Sequence, residues 1–334
     1  MRLIGLVTLL ICALRAYAQV PESPHFTLKK LADGVYAAVA SDTGYAVSNA
    51  GIVDLGDSIL IFDTFLSPRA AADLRRAALV LTGKPIGYVV NSHFHNDHIR
   101  GNQVFSGAYI VSTVNTRKAI AENEPEEILW ENEHARSRLA EARKTWITES
   151  DTGRIAEDKF WMKYYESIVD SHDSLKTVLP DMTFEGKLVL RSSGRSVELI
   201  EEGGGHTESD VILYLPLEHI VFTGDLVFID RHPYLPDGSP DGWLKSLERI
   251  EALDPSIVIP GHGPVGDKSH LAIMAGYIHA LKILGAGLAQ RGAGEQEMAS
   301  QPVPPAYGPW WYSRFFLPNL KFLVEIEKKR SSPK

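Results

Sequence analysis

Three histidines and one aspartate stand within six residues of one another, at His93, His95, Asp97 and His98. They directly follow an apolar, β-branched run at residues 86–90 that predicts a buried strand. Alternation along an extended chain points the first two histidines to one side, and a turn after them can bring the other two residues to a second position. Imidazole suits zinc, copper, iron or nickel, and carboxylate is compatible with zinc, iron or manganese. The spacing therefore favours two adjacent metal sites over one.

Three later residues extend this set. His206 follows three glycines, Asp225 follows Thr-Gly after an apolar strand, and His262 lies in Pro-Gly-His-Gly after another strand. Each alone is explained equally well as a hydrogen-bonded loop residue or a turn residue. Together with the first cluster they indicate seven metal ligands, since ligands gather where strands give way to glycine-bearing loops in layered α/β folds. The single cysteine, Cys12, lies in a leader segment, so the site must use histidine and carboxylate.

Four motifs, HFHNDH, GGGHTESD, FTGD and IPGHGP, resemble the metallo-β-lactamase superfamily in type and order, across approximately residues 30–265. The resemblance implies an α/β fold, an αββα sandwich with a dinuclear site at one edge. It also implies a division of the ligands: His93, His95 and His206 for one metal, Asp97, His98 and His262 for the other, and Asp225 as the bridge.

Two departures from the family pattern matter. Some β-lactamases of the family have cysteine where Asp225 stands, so this chain is more similar to the Asp-bridged thioesterases, lactonases and phosphodiesterases. His206 also follows His98 by 108 positions, which leaves room for a helical insertion beside the site.

The elements that must position these residues can be read from the pattern. Ser67 as N-cap and Pro68 at the first position predict a helix through Leu81 that Gly83 ends. Further helices are expected at 243–252 and 267–288. Strands are expected at 34–39, 45–53, 58–63, 86–90, 187–191, 196–200, 211–215, 219–222 and 256–259.

Residues 115–174 predict two or three amphipathic helices inserted into the fold, with aromatic residues at near-helical spacing. Those aromatics either pack on the body of the protein or form a roof over the site. A helical tail spans about 267–334, and we expect residues 19–334 to form one domain.

Residues 1–18 resemble an export signal. Arg2 precedes an apolar run at residues 3–14, and Ala16 and Ala18 fit the small residues before a cleavage site, which predicts cleavage after Ala18. The apolar run is shorter than the about 20 residues needed to span a bilayer. A periplasmic or secreted protein is expected, with no stable membrane insertion after cleavage.

The charge balance limits the partners. Lys and Arg number 34 against 42 Asp and Glu, a net charge of −8, and removal of the leader would make it −10. Nucleic acids and anionic lipids require basic surface, so the expected partner is a small-molecule substrate. The sequence indicates no particular oligomeric state.

The predicted function is hydrolysis of a small ester, thioester, lactone or amide by a hydroxide held between two metal ions, with zinc as the first candidate and iron or manganese compatible. By family resemblance Asp97 is both a ligand and the group that transfers the proton. Asp63, at a strand end, is a candidate to orient a ligand histidine, or is a turn residue. Arg231, His232 and Tyr234 are candidate substrate contacts, or solvated loop residues.

Other functions stay open. A β-lactamase proper is the first alternative, because export would suit that substrate. An iron-dependent oxidoreductase has compatible ligands, but the flavin-binding domain of such relatives is absent from the sequence. A non-catalytic metal-dependent binding protein is less favoured, because all seven ligand positions are filled.

Overall fold

Two β-sheets form the centre of the protein, which the computed structural model describes over residues 22–331. The first sheet contains, in spatial order, β1 (Phe26–Ala32), β2 (Val35–Ala40), β3 (Ala50–Asp54), β4 (Ile59–Phe62), β5 (Ile86–Val90), β6 (Tyr109–Thr113) and β7 (Met182–Phe184). The second contains β8 (Lys187–Arg191), β9 (Ser196–Glu201), β10 (Val211–Leu215), β11 (Ile220–Phe222) and β12 (Ile257–Ile259). Strands β4 to β7 are parallel in the first sheet, as are β11 and β12 in the second. The other neighbours pair antiparallel.

Helices cover the outer faces of both sheets. Those of the described residues are α1 (Pro68–Thr82), α2 (Asn96–Ile99), α3 (Val114–Thr148), α4 (Thr152–Ser171), α5 (Pro240–Ala252), α6 (Ser269–Gln290), α7 (Glu295–Ala299) and α8 (Phe316–Ser331). Helix α1 packs on the outer face of the first sheet, while α5, α6 and α8 pack on the outer face of the second. The layers are therefore αββα, as the resemblance implied.

The side chains of strand β4 pack on both faces of the first sheet. Leu60 and Phe62 point between the sheets, where they pack in a cluster that includes Phe222 of β11. Ile59 and Ile61 point to the opposite face and join the cluster under α1. Because side chains alternate across a strand, an unbroken apolar run indicates a strand buried on both faces.

Helix α1 begins and ends where its capping residues predict. The Ser67 hydroxyl accepts a hydrogen bond from the Arg69 backbone N–H, Pro68 occupies the first helical position, and Gly83 follows the last turn with φ of 67°. Glycine adopts this left-handed conformation without the steric cost that a β-carbon brings.

The insertion consists of two long helices, α3 and α4, packed against each other. The Thr113 hydroxyl caps α3 by accepting from the Thr116 backbone N–H. Phe160 of α4 is buried in a small cluster with Ala135 of α3 and Tyr312 of the tail. The aromatic residues of the insertion therefore bind it to the C-terminal part of the chain.

Several sequence-based expectations were wrong in detail. The strand expected at 45–53 begins only at Ala50, because the backbone turns at Val47, whose φ is 72°. Strands β1, β6 and β7 were not predicted. Strand β1 is an edge strand with two adjacent lysines, Lys29 and Lys30, which obscure its alternation, and β7 has three residues.

Two further points concern membranes and export. Helix α6 is long and apolar enough in composition to cross a bilayer. In the fold, however, it contributes Met274, Tyr277, Ile278 and Leu281 to the core of the second sheet. The predicted signal sequence, residues 1–18, lies outside the described residues.

Candidate metal centre

The strand registers bring the ligand-bearing loops to one edge of the sandwich. Phe62 pairs with Val90, so the parallel strands β4 and β5 end level with each other. Phe222 pairs with Ile259, so β11 and β12 also end level. Carboxyl ends of parallel strands lie at the same edge of a sheet, and this places the loops that follow them around a common centre.

A change in backbone conformation separates the two halves of the HFHNDH motif. His95 is extended, with φ −63° and ψ 145°, and helix α2 begins at the next residue. Asp97 and His98 are therefore carried on a helical turn, whereas His93 and His95 lie on the extended segment before it. This is the turn that the sequence spacing required.

The first ligand cluster consists of three imidazoles and one carboxylate. His95 Nδ1 lies 3.0 Å from His93 Nε2 and 2.9 Å from His206 Nε2. Asp225 Oδ2 lies 3.4 Å from His206 Nε2 and 3.8 Å from His93 Nε2. For comparison, zinc–nitrogen bonds of about 2.0–2.1 Å in a tetrahedral site separate neighbouring nitrogens by about 3.3 Å.

The second cluster lies on the other side of Asp225. Asp97 Oδ2 is 3.3 Å from His262 Nε2 and 3.7 Å from His98 Nε2. Asp225 Oδ1 is 3.1 Å from His98 Nε2, and its Oδ2 is 3.4 Å from His262 Nε2. The structure thus brings all seven predicted residues together, with Asp225 between the two groups.

The donor atoms fit cations. His98 Nε2 and Asp225 Oδ1 are buried, and although they are 3.1 Å apart, neither makes a hydrogen bond of regular geometry to any described residue. Buried polar atoms without partners are costly, and a metal ion in contact with both would remove that cost. The two clusters are consistent with a dinuclear site.

Charge and burial keep three of the ligands, His93, His206 and Asp225, in the forms that metals require. Burial lowers the pKa of His206 to about 3, so its imidazole is neutral. Burial also lowers the pKa of His93 well below its usual value. For Asp225, burial opposes ionisation, but the facing imidazoles of His262 and His98 outweigh it and hold the carboxyl pKa well below its ordinary value.

Residues behind the ligands fix their orientation. Asp63 Oδ2 lies 2.8 Å from His98 Nδ1, the contact expected of a residue that orients a ligand histidine. The same carboxylate accepts hydrogen bonds from the backbone N–H and the hydroxyl of Ser92. The Ser92 hydroxyl in turn lies 2.9 Å from His93 Nδ1. One carboxylate therefore supports a ligand in each cluster.

Two supporting contacts were not predicted. Asp237 Oδ2 lies 2.9 Å from His95 Nε2, although it stands in a Pro-Asp-Gly turn far from any ligand motif. The Val47 carbonyl lies 3.2 Å from His262 Nδ1, and the left-handed conformation of Val47 is rare for a β-branched residue. Neither residue had a spacing signal in the sequence, because both contacts join distant loops.

The three candidate substrate contacts have different surroundings. Tyr234 lines the cavity above the ligands. His232 is fully buried and its Nδ1 lies 3.0 Å from the Tyr277 hydroxyl, in the core under α6. Arg231 forms an ion pair with Asp42 at 2.9 Å and lies over the ring of Trp311. The structure therefore does not support a substrate contact by His232 or Arg231; both hold the tail against the body of the protein.

A cavity of about 770 Å³ opens above the metal centre. Five of the seven ligands line it: His95, Asp97, His206, Asp225 and His262. Its sides include half-buried aromatic rings from three distant segments, here called the aromatic wall: Trp161 and Tyr164 of α4, Tyr234, and Phe315 of the tail. The insertion and the tail together enclose the site, so the insertion both packs on the protein and roofs the site.

The insertion also contacts the ligand loop through polar groups. Asn96 Nδ2 donates to Glu127 Oε1 of α3 and to the Tyr164 hydroxyl of α4, at 2.7 and 3.3 Å. Arg100 forms buried ion pairs with Glu124 and Glu131 of α3, at 2.9 and 2.8 Å. The position of α3 is therefore linked directly to the loop that carries four ligands.

An αββα sandwich with two histidine-carboxylate clusters at one edge defines a metallo-hydrolase with a dinuclear metal centre. The sequence model of the Metallo-beta-lactamase superfamily matches residues 43–262. The chain belongs to this superfamily.

Known proteins agree with this assignment. The chain is 29% identical over 93 residues to a metallo-beta-lactamase type 2 of Bacteroides fragilis, which covers 26% of this chain and 37% of that protein. It is also 23% identical over 223 residues to a linear primary-alkylsulfatase of a Pseudomonas species. That match covers 64% of this chain and 39% of the alkylsulfatase. The chain thus spans less than two fifths of either relative.

Solved structures show the same fold. A metallo-beta-lactamase from Pontibacter korlensis superposes with a TM-score of 0.56 at 20% identity, covering 76% of this chain and 99% of that one. The DIM-1 metallo-beta-lactamase superposes with a TM-score of 0.54 at 20% identity. The superposition covers 78% of this chain and 99% of the DIM-1 chain.

Proposed function

We propose that this protein hydrolyses a small ester, thioester, lactone or amide and that its two metal ions are zinc. The observation that carries the proposal is that residues of both ligand clusters, with Asp225 between the clusters, line one cavity. Two bound divalent cations would polarise a substrate oxygen and lower the pKa of water enough for attack near neutral pH. The cavity volume lies within the range of small-molecule sites, about 300–1,000 Å³.

Zinc is favoured by the donor set. Five imidazoles and two carboxylates surround the site, with no thiolate, since the only cysteine is Cys12. Iron and manganese accept the same donors, so elemental analysis of the purified protein tests the assignment directly. We expect two equivalents of zinc per chain, and less than one equivalent of any metal would contradict a dinuclear site.

Asp97 is proposed to transfer the proton. Its side chain is 12% exposed, against 5% for Asp225, and it lines the cavity. In the proposed reaction the oxygen of water bonds to the acyl carbon, and the bond from that carbon to the leaving oxygen, sulfur or nitrogen breaks. Asp97 accepts a proton from the water and returns it to the leaving atom.

A hydrolysis panel on the metal-loaded protein tests the reaction. It should contain a carboxylic ester, a thioester, a lactone, a β-lactam and a phosphodiester, with an alkyl sulfate added because one relative is an alkylsulfatase. Turnover of the acyl substrates supports the proposal. Turnover of the β-lactam alone would establish the β-lactamase alternative, and no turnover with both metals bound would favour a binding protein.

Two variants test the site assignment within that panel. His95→Ala removes a ligand of the first cluster, and Asp97→Ala removes the proposed proton carrier. Both should lower kcat/KM by at least about 10³-fold, in line with the loss of a metal ligand or an acid–base group. Circular dichroism should show unchanged secondary structure, and retained activity in either variant would refute its role.

We further propose that the protein is exported and acts on a small molecule in the periplasm or outside the cell. The support is the leader pattern of residues 1–18 and the acidic net charge, which disfavours nucleic acid. N-terminal sequencing of protein from the periplasmic fraction should begin at Gln19. Recovery of the full-length chain only from the cytoplasm would contradict export.

A further inference from the structure

The aromatic wall is a packed surface rather than a set of separate rings. The ring centroids of Trp161 and Phe315 are 5.8 Å apart at an interplanar angle of 85°, and those of Tyr234 and Phe315 are 5.5 Å apart at 62°. Behind them, Tyr312 is buried and its centroid lies 5.3 Å from that of Trp161. Edge-to-face packing of this kind holds aromatic side chains in defined positions.

Apart from the exposed Glu126, the polar groups beside the wall are engaged with the protein itself. Glu127 accepts a hydrogen bond from Asn96, and Asp237 contacts His95. The Arg314 guanidinium lies over the Trp161 ring, 4.1 Å from its centroid. The Tyr164 hydroxyl also accepts from Asn96. What the wall offers to a bound molecule is therefore mainly ring surface, together with the hydroxyls of Tyr164 and Tyr234.

We propose, building on the proposed hydrolase function, that the substrate carries an extended apolar acyl or aryl group, which binds against the aromatic wall while the scissile bond lies at the metal centre. A substrate with only a short acyl group leaves most of the cavity without contact. A longer group removes apolar surface from water on both partners, which is the main source of affinity in such cavities. The insertion and the tail thus determine substrate length.

An ester series measures this directly. p-Nitrophenyl acetate, butyrate, hexanoate and octanoate share one leaving group and differ only in acyl length. With the metal-loaded wild-type protein, kcat/KM should rise about fourfold per added methylene until the acyl group extends beyond the aromatic wall. A flat or falling series would overturn the inference.

Single substitutions test which residues cause the dependence of kcat/KM on acyl length. Trp161→Ala should lower the ratio of hexanoate to acetate kcat/KM at least tenfold, mainly through KM. Trp161→Phe, which keeps a ring there, should restore most of it. Trp146→Ala is the matched control, since Trp146 lies on the same pair of helices but does not line the cavity, and it should leave the ratio unchanged. Tyr234→Ala, in a separate segment, should lower the same ratio.

Ligand binding separates this inference from the proposed reaction. By isothermal titration calorimetry, octanoate should bind the metal-loaded protein at least tenfold more tightly than acetate, and Trp161→Ala should remove most of that difference. This result would support an apolar site even if no ester in the panel were hydrolysed, in which case the proposed function alone would fail. Equal affinity for octanoate and acetate would overturn the apolar site, whatever the protein hydrolyses.

Discussion

Arg100 connects the metal-ligand loop to the helical insertion, and its replacement by methionine tests how much this connection contributes to stability. Its Nε donates to Glu124 at 2.9 Å and its Nη2 lies 2.8 Å from Glu131. The three side chains are 1%, 3% and 7% exposed. Methionine keeps the apolar stem but leaves two buried carboxylates without a cation. Burial already raises the pKa of both carboxyls against the opposing effect of Arg100.

The expected loss is large. Removal of one partner from a buried ion pair typically costs about 3–5 kcal/mol, because the remaining charge has no compensation. With an unfolding entropy of about 2.1 cal/mol/K per residue over 334 residues, this corresponds to a fall in Tm of about 4–7 °C. Differential scanning calorimetry of the metal-free protein measures the change without a contribution from bound metal.

Two comparisons make the result interpretable. Arg69→Met removes an ion pair to Asp170 at 3.3 Å whose side chains are 61% and 33% exposed. A surface pair contributes about 0–1 kcal/mol, so its Tm should fall by less than 2 °C. Adding Glu124→Gln and Glu131→Gln to Arg100→Met should recover most of the loss. Equal effects of Arg100→Met and Arg69→Met would refute the argument that a buried charge network holds α3 to the loop.

Three other perturbations act on the metal centre itself. Asp63→Ala removes the group that orients His98 and should weaken zinc binding about 10–100-fold, measured by chelator competition. Gly261→Ala places a β-carbon where it overlaps Asp225 Oδ1 and lies 2.8 Å from the Gly224 carbonyl carbon, so the metal content should fall below two per chain. Burial lowers the pKa of His262, but Asp225 and Asp97 outweigh it and raise the pKa to about 9 in the metal-free protein. Burial also opposes protonation of His98, but Asp225, Asp97 and Asp63 outweigh it and raise the pKa of His98 well above its usual value. Because a metal must displace these protons, zinc affinity should rise at least about tenfold per pH unit between pH 7 and pH 9.

Each of these expectations has a contrary outcome. Unchanged zinc affinity in Asp63→Ala would mean that His98 keeps its orientation without the carboxylate. Two bound metals in Gly261→Ala would mean that the loop moves without displacing Asp225. A zinc affinity independent of pH between 7 and 9 would mean that the imidazole of His262 is already neutral in the metal-free protein.

Local sequence patterns predicted most of the regular elements. Ser67, Pro68 and Gly83 determine the ends of α1 through contacts within a few residues, so they could be read without the fold. The irregular backbone around Val47 could not, because tyrosine and valine favour a strand. Its actual conformation is stabilised by partners far along the chain, including His262. Strand β7 escaped notice because three residues carry too little periodicity.

The ligand residues were evident from the sequence, because metal chemistry restricts the residue types and a short motif carries four of the seven. Their spacing predicted a cluster with two adjacent metal sites, and the assignment of each ligand to one site or the other came from resemblance. The tertiary structure decided what surrounds them. Asp237 meets His95, and Trp161, Tyr234 and Phe315 form one wall, only because the insertion, the loop after β11 and the tail fold over the same edge.

The loop after β11 is a second place where the sequence could not predict which side chains face the substrate. A polar Arg-His pair after a ligand was a candidate for substrate contact or for solvated loop residues, yet the fold pairs Arg231 with Asp42 and buries His232 against Tyr277. Residue type and spacing thus determine which atoms can bind a metal, since that chemistry is local. Which side chains face the substrate depends on the packing of segments far apart in the chain, which only the three-dimensional fold brings into contact.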